Sequence, residues 1–206
     1  MTEKDTYKTI AKPTKEVIYK DRSSKFLGYA YPIITEEEVK EIVETLKQQH
    51  HKARHWCYAW QLGVENIRFR ANDDGEPNNS AGQPIYGQIL SKELTNILVV
   101  VVRYFGGIKL GVGGLVTAYK TAAQMAIENA IIIEKLVEVQ FKLSFDYQYM
   151  NVAMRAIKEN DIAIINQTSA LHCELIISTR KKNTEKVKEI FEQLHHINIK
   201  EISDQK

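Results

Sequence analysis

The chain has 206 residues, 44% of them hydrophobic, enough to bury one large core or two modest ones. Its 28 Lys+Arg and 26 Asp+Glu nearly cancel, evenly along its length: 17 basic and 15 acidic residues in 1–133, 11 of each in 134–206. That balance excludes the strong basic excess of an electrostatic nucleic-acid binder, and two cysteines, Cys57 and Cys173, exclude a disulfide framework and lack zinc-ligand spacing. The polar start is unlike a signal peptide and no apolar run reaches membrane-spanning length, so a soluble, cytoplasmic protein with no membrane partner is expected.

Residues 16–34 read as two strands, 16–19 and 26–34, around a turn at 20–24. Thr35 and Glu38 form a capping box, and Val39, Ile42, Val43 and Leu46 repeat at helical spacing up to about His50. His50 and His51 then read as a solvated helix end rather than a metal site. A strand at 54–62 follows, with His55, Cys57 and Ala59 on one face and Trp56, Tyr58 and Trp60 on the other. His55 beside Cys57 invites a base and a nucleophile, but the sequence offers no oxyanion hole or orienting carboxylate. A short partner strand is read at 67–70.

The loop 72–84 is dense in turn formers and holds three carboxylates, Asp73, Asp74 and Glu76, within four residues. They offer ligands to a hard cation, yet the spacing is not that of an EF-hand, and satisfying turn backbone is the simpler role. A helix is predicted from Ile85, with Pro84 near its first turn. Residues 97–102 are six consecutive apolar positions and read as a strand covered on both faces. Arg103 and Tyr104 end it, and a loop and helix start with five glycines follow: Gly106, Gly107, Gly111, Gly113 and Gly114. Walker spacing between Gly106 and Gly111 fails because Val112 and Gly113 stand where Lys and Ser/Thr are needed, and a dinucleotide fingerprint lacks its last glycine. What remains is an anion-friendly helix start with Arg103 and Lys109 near it, where either a phosphate or a carboxylate of this chain could sit. Gly113 and Gly114 are the glycines best placed to let helix pack on strand.

Near 131–135 the character changes, which sets a boundary between 1–133 and 134–206. Strict alternation from Val137 to Phe145 predicts a half-exposed strand, and Asp146 is read as capping a helix that Asn160 closes. Strands at 162–165 and 171–178 joined by 166–170, a helix at 184–195 and a strand at 197–202 complete a βαββαβ order, the ferredoxin-like split pattern.

DDGEP at 73–77, AGQP at 81–84, VVVVRYFGGIKLGVGGL at 99–115 and Ala118-Tyr119, with the run around His55, together resemble the signature of the IMPACT (YigZ-type) family. After DGEP the family usually carries Ser/Gly-Gly-Thr; here Asn78-Asn79-Ser80 stands instead, with an Asn that still tolerates positive φ. The resemblance implies an α+β chain. Its first domain would be a left-handed βαβ like domain IV of elongation factor G, its second ferredoxin-like as in domain V. It also implies a place in the regulation of translation and the stress response, since eukaryotic relatives control translation under starvation. Those relatives have an extra N-terminal domain that is not expected here, where the first strand pattern starts by residue 16.

The expected function is a non-catalytic, translation-linked regulator that binds RNA, the ribosome or a translation-associated protein, with no cofactor, no bound metal, no catalytic residue and no DNA sequence specificity. Its candidate surface is Arg103, Lys109 and Lys120 with Asp73, Asp74, Glu76 and His55, supported by the five glycines. Arg103 has two roles open to it: a phosphate contact, or an internal pair with Asp74 or Glu76. The alternative function is a metal-assisted hydrolase using 73–76 with His55.

Overall fold

The apolar run at 97–102 becomes the middle of β6 (Ile97–Tyr104) in the computed structural model of the protein, which describes residues 5–168 and 171–202. β6 is the central strand of a five-stranded sheet in the order β2 (Val17–Asp21), β3 (Ser24–Pro32), β6, β4 (His55–Leu62), β5 (Arg68–Asn72). Every neighbouring pair is antiparallel. Residues Ile97 to Val102 are all fully buried, because helices cover both faces. On one face Leu98, Val100 and Val102 pack with Val39, Val43 and Leu46 of α1 (Glu36–Gln49). On the other, Ile97, Val99 and Val101 meet Ile85 and Ile89 of α2 (Gly82–Ser91) and the alanine-rich face of α3 (Gly111–Glu128).

Local signals explain these helices. α1 starts on the full capping box: Thr35 Oγ1 accepts the Glu38 N–H, while the Glu38 carboxylate accepts the Thr35 N–H at 3.2 Å. α3 buries Ala118, Ala122, Ala123 and Ala126, and these small side chains let its backbone lie directly on β3. A Cβ on Gly28 would stand 2.6 Å from the Ala122 carbonyl oxygen, so that approach requires glycine.

The chain divides into two compact units, Tyr7–Lys135 and a second made of the residues from Leu136 on with those up to Thr6. Asp5 is held within the second unit: its carboxylate accepts from Arg180 at 2.7 Å and from the Lys182 N–H at 3.1 Å. A strand the sequence did not announce, β1 (Thr6–Ile10), therefore precedes the expected start at 16 and pairs with β7 (Ile132–Leu136). Five residues of mixed polarity carry too short a pattern to show as a strand.

The second unit runs β8 (Glu138–Asp146), α4 (Met150–Glu159), β9 (Ala163–Thr168), β10 (His172–Arg180), α5 (Thr184–Glu192), β11 (Asn198–Ile202). Its antiparallel sheet has the order β11-β8-β10-β9. Phe141, Leu143, Phe145, Cys173, Leu175 and Ile177 form its inner face against Ala153, Ile157, Val187 and Phe191. Of the connection read at 166–170, residues 166–168 extend β9 and 169–170 lie outside the described residues. Asp146 makes no capping bond, a correction to its expected role; its carboxylate lies 2.7 Å from His172 Nδ1 across the β8–β10 ladder.

Candidate functional site

The register of the large sheet lines up Phe26, Arg103 and His55 in one row across β3, β6 and β4, all on the face that α3 covers. The loop between β5 and α2 folds over the His55 end of that row. Its sequence dictates how. Asp74 (φ 42°) and Gly75 (φ 85°) are the two left-handed residues of a tight turn closed by the Glu76 N–H on the Asp73 carbonyl at 2.9 Å. Asn79, at the position where the family usually has glycine, also has φ 62°, a conformation that asparagine tolerates.

Each carboxylate of the loop has its own internal task. Asp73 Oδ1 accepts the N–H groups of Ala81 and Gly82 at 2.9 and 2.8 Å, and Oδ2 that of Asn79 at 2.8 Å. It thus caps α2, whose own N-cap residue, Ala81, supplies no side-chain bond. Asp74 Oδ2 accepts the Trp56 N–H at 2.7 Å, pinning the loop to β4. Glu76 is buried, and its Oε1 receives Arg103 at 2.6 Å and the Tyr119 hydroxyl at 2.8 Å. Of the two carboxylates the sequence offered Arg103, Glu76 is the partner. The guanidinium is 5.5 Å from the Phe26 ring and 5.4 Å from that of Phe105, and its Nε has no hydrogen-bond partner. Arg103, only 5% exposed, is therefore a keystone between loop, strand and α3, out of reach of a docking partner.

His55 donates from Nδ1 to the Asp74 carbonyl at 2.9 Å, which leaves Nε2 3.9 Å from Glu76 Oε1. Cys57 is fully buried and points its thiol at the Asp73 carbonyl at 3.0 Å. Burial pushes that thiol well above its ordinary pKa, the opposite of what a nucleophile needs. Burial likewise raises the Tyr119 hydroxyl, with the Cys57 and Glu76 charges adding to it. Among the described residues no group of three or more His, Cys, Asp or Glu is placed to hold a metal ion.

The glycines divide into two kinds. Gly82 and Gly106 are structural: a Cβ would stand 2.5 Å from Asn72 N in the first case and 2.1 Å from the Ser23 carbonyl carbon in the second. Ser23 forms, with Arg22, the positive-φ tip of the β2–β3 hairpin, and that tip rests on Gly106. Gly107, Gly111 and Gly113 have nothing within 4 Å of such a Cβ, although Gly107 (φ 88°) and Gly111 (φ 73°) adopt left-handed backbone that favours glycine, which leaves Gly113 without either constraint. This corrects the expectation for Gly113, and Gly114 meets only the neighbouring Leu110 side chain at 3.0 Å, so the close strand-to-helix approach falls at Gly28 instead. The three open glycines lie among exposed Phe105, Ile108, Lys109 and Val112, with Arg54 5.4 Å from the Phe105 ring. Lys109 has no ion-pair partner among the described residues, and Lys120 is exposed farther along α3.

Sequence reasoning missed one polar cluster on the α1 face. His50 is not a solvated helix end: its ring lies 2.7 Å from the Tyr29 hydroxyl and 3.0 Å from that of Tyr104, and Tyr29 also donates to Glu16. Helical periodicity ends before His50, so no pattern announces what its ring meets.

Residues 22–127 match the model of the Impact N-terminal domain, and the chain belongs to the IMPACT family. An IMPACT family member of Haemophilus influenzae is 32% identical over 180 residues, 84% of this chain and 86% of that protein. YigZ, an IMPACT family member of Escherichia coli, is 32% identical over 152 residues, 73% of this chain and 74% of its own length. A crystal structure described as that of a hypothetical protein superposes with a TM-score of 0.74 at 26% identity, over 98% of this chain and 99% of the other. No helix among the described residues is long and apolar enough to cross a membrane.

Proposed function

We propose that the chain is a non-catalytic binding module of the translation machinery, and that its docking face is the glycine-loop surface of Phe105, Ile108, Lys109 and Val112. The observation that carries this reading is the division of labour within the signature. Asp73, Asp74, Glu76 and Arg103 are all engaged inside the fold, whereas Gly107, Gly111 and Gly113 keep space open beside exposed apolar and basic groups. Gly107 and Gly111 hold left-handed backbone that itself favours glycine, whereas Gly113 is required by neither a neighbour nor its own φ; at an uncapped helix start with no acidic residue in its first turn, it suits the close approach of a partner. Family membership supports the link to translation, the role that the resemblance implies through the eukaryotic relatives. The partner is RNA, the ribosome or a translation-associated protein; near-neutral charge predicts that an RNA contact would be modest and salt-sensitive.

The finer fold assignment belongs to the same proposal. The βαββαβ order with the sheet β11-β8-β10-β9 supports a ferredoxin-like second domain, and the first is the candidate for the left-handed βαβ class. The hydrolase alternative gains no observation here, because its three carboxylates serve separate backbone and ion-pair partners.

The test is retention of ribosomes, RNA or protein from an extract of the source cells by wild type and by Ile108→Asp/Lys109→Glu, with and without ribonuclease. Loss of a retained component in the variant supports the surface, and its sensitivity to ribonuclease tells RNA from protein. Equal retention by both, or turnover that Asp74→Asn abolishes without unfolding, refutes the reading.

A further inference from the structure

β5 is an edge strand: the sheet order ends on it, and no strand among the described residues lies on its outer side. Its pairing with β4 is regular from Arg68 to Asn72, without a bulge, and it holds no proline. Edge strands are sites where an extended chain can add through backbone hydrogen bonds.

The side chains of β5 differ sharply between its two faces. Phe69 is 54% exposed and stacks on Tyr86 of α2, ring centroids 4.5 Å apart; Leu90, one helical turn beyond Tyr86, is 51% exposed. That face is an apolar shelf at the sheet edge. On the α1 face stand Arg68, Arg70 and Asn72, all opposite residues of β4 that pack toward α1. Arg68 reaches Glu36 at 2.9 Å, while exposed Arg70 has no ion-pair partner among the described residues. Beside them α1 and the strand ends line an open groove of about 250 Å³ whose Lys40 and Lys47 are balanced by Glu44 and Asp74, so the unbalanced charge of this edge is that of Arg70.

The geometry points to β5 as a docking edge for an extended peptide that alternates apolar and acidic residues, adding to the sheet as a sixth strand. The alternation follows from the pleat: successive side chains of an added strand face opposite sides. Those on the α2 side would cover Phe69 and Leu90, and those on the α1 side would meet Arg70 beside Arg68. Two copies of this chain joined through β5 would instead bring four arginines together, so the charge pattern selects an acidic partner over self-association. This edge is distinct from the glycine-loop surface and does not rest on the function proposed above.

The test titrates the full-length protein with a synthetic seven-residue peptide alternating valine and glutamate, valine first, followed by amide NMR shifts. Controls are the same peptide with lysine for glutamate and with a central proline. The proposal expects saturable shifts centred on β5, slowed amide exchange along it, and clear weakening by proline. Arg70→Glu should weaken binding by at least about fivefold, the effect of losing one exposed ion pair, with Phe69→Ala reducing it through the other face. Both residues are exposed, so thermal unfolding should show the variants folded. No shift at millimolar peptide, equal binding of the lysine peptide, binding unchanged by Arg70→Glu, or shifts centred elsewhere would overturn it. So would a dimer through β5 in analytical ultracentrifugation.

Discussion

Replacing Glu76 with glutamine tests the internal lock most sharply. The change is nearly isosteric and keeps an oxygen for the Tyr119 hydroxyl, but it leaves the Arg103 guanidinium buried with no counter-charge. Both side chains are buried, 6% exposed for Arg103 and 4% for Glu76, so solvent screening gives little relief. Breaking a buried pair from one side costs about 3–5 kcal/mol, whereas exchanging both members for neutral groups is often close to neutral. Glu76→Gln and Arg103→Met should each destabilise by that amount, and the double variant by no more than either single change, far below their sum. For a domain of this size the single changes lower the melting temperature by roughly 10 °C. Urea unfolding followed by tryptophan fluorescence reports on this unit, because both tryptophans of the chain, Trp56 and Trp60, lie in β4. A cost below about 1 kcal/mol, the range of an exposed ion pair, or simple additivity in the double variant would refute the lock.

Three further outcomes follow from the same geometry. Gly106→Ala should unfold or strongly destabilise the first unit, since its Cβ would meet the Ser23 carbonyl carbon at 2.1 Å, whereas Gly113→Ala should raise the thermal midpoint slightly and still lower partner retention. Cys57, fully buried and with its pKa raised by burial, should resist a thiol reagent at pH 8 until denaturant is added; fast labelling of native protein at Cys57 would contradict the site as described. Burial alone would raise the pKa of Asp5, but the Lys182 N–H and the Arg180 guanidinium outweigh it and hold the carboxyl below its ordinary value. A depressed folded-state pKa gives stability that is present above the ordinary aspartate value and is lost as pH falls through the folded one. Asp5→Asn should therefore be less stable than wild type near neutrality, with the difference shrinking in the acid limb of a urea-midpoint series; a difference independent of pH would count against the pair.

Much of this architecture was legible in the residues because it rests on local rules. Six apolar residues in a row, four of them valine, read as a strand covered on both sides, and Thr35 with Glu38 announced the start of α1 with its cap. Alternation from Val137 to Phe145 likewise set the inner face of the second sheet. What escaped is what depends on distant neighbours. Nothing local shows that Asp73 caps a helix eight residues later, or that β1 finds its partner at 132–136. The glycines make the point best: Gly106 and Gly113 look alike in sequence, yet only the hairpin tip at Ser23 makes one indispensable and leaves the other open. Arg103 stood as both a surface cation and an internal partner until the fold placed Glu76 against it.

The most direct test of the central claim, an internally locked signature presenting an open glycine-loop surface, is one sedimentation comparison. Wild type, Ile108→Asp/Lys109→Glu and an exposed control, Lys120→Glu, would be run with ribosomes from the source cells at low and moderate salt, with urea midpoints measured on the same samples. The account predicts that wild type co-sediments, that the loop variant loses most of this at an unchanged midpoint, and that the control loses less. Co-sedimentation of the loop variant at the wild-type level would contradict it.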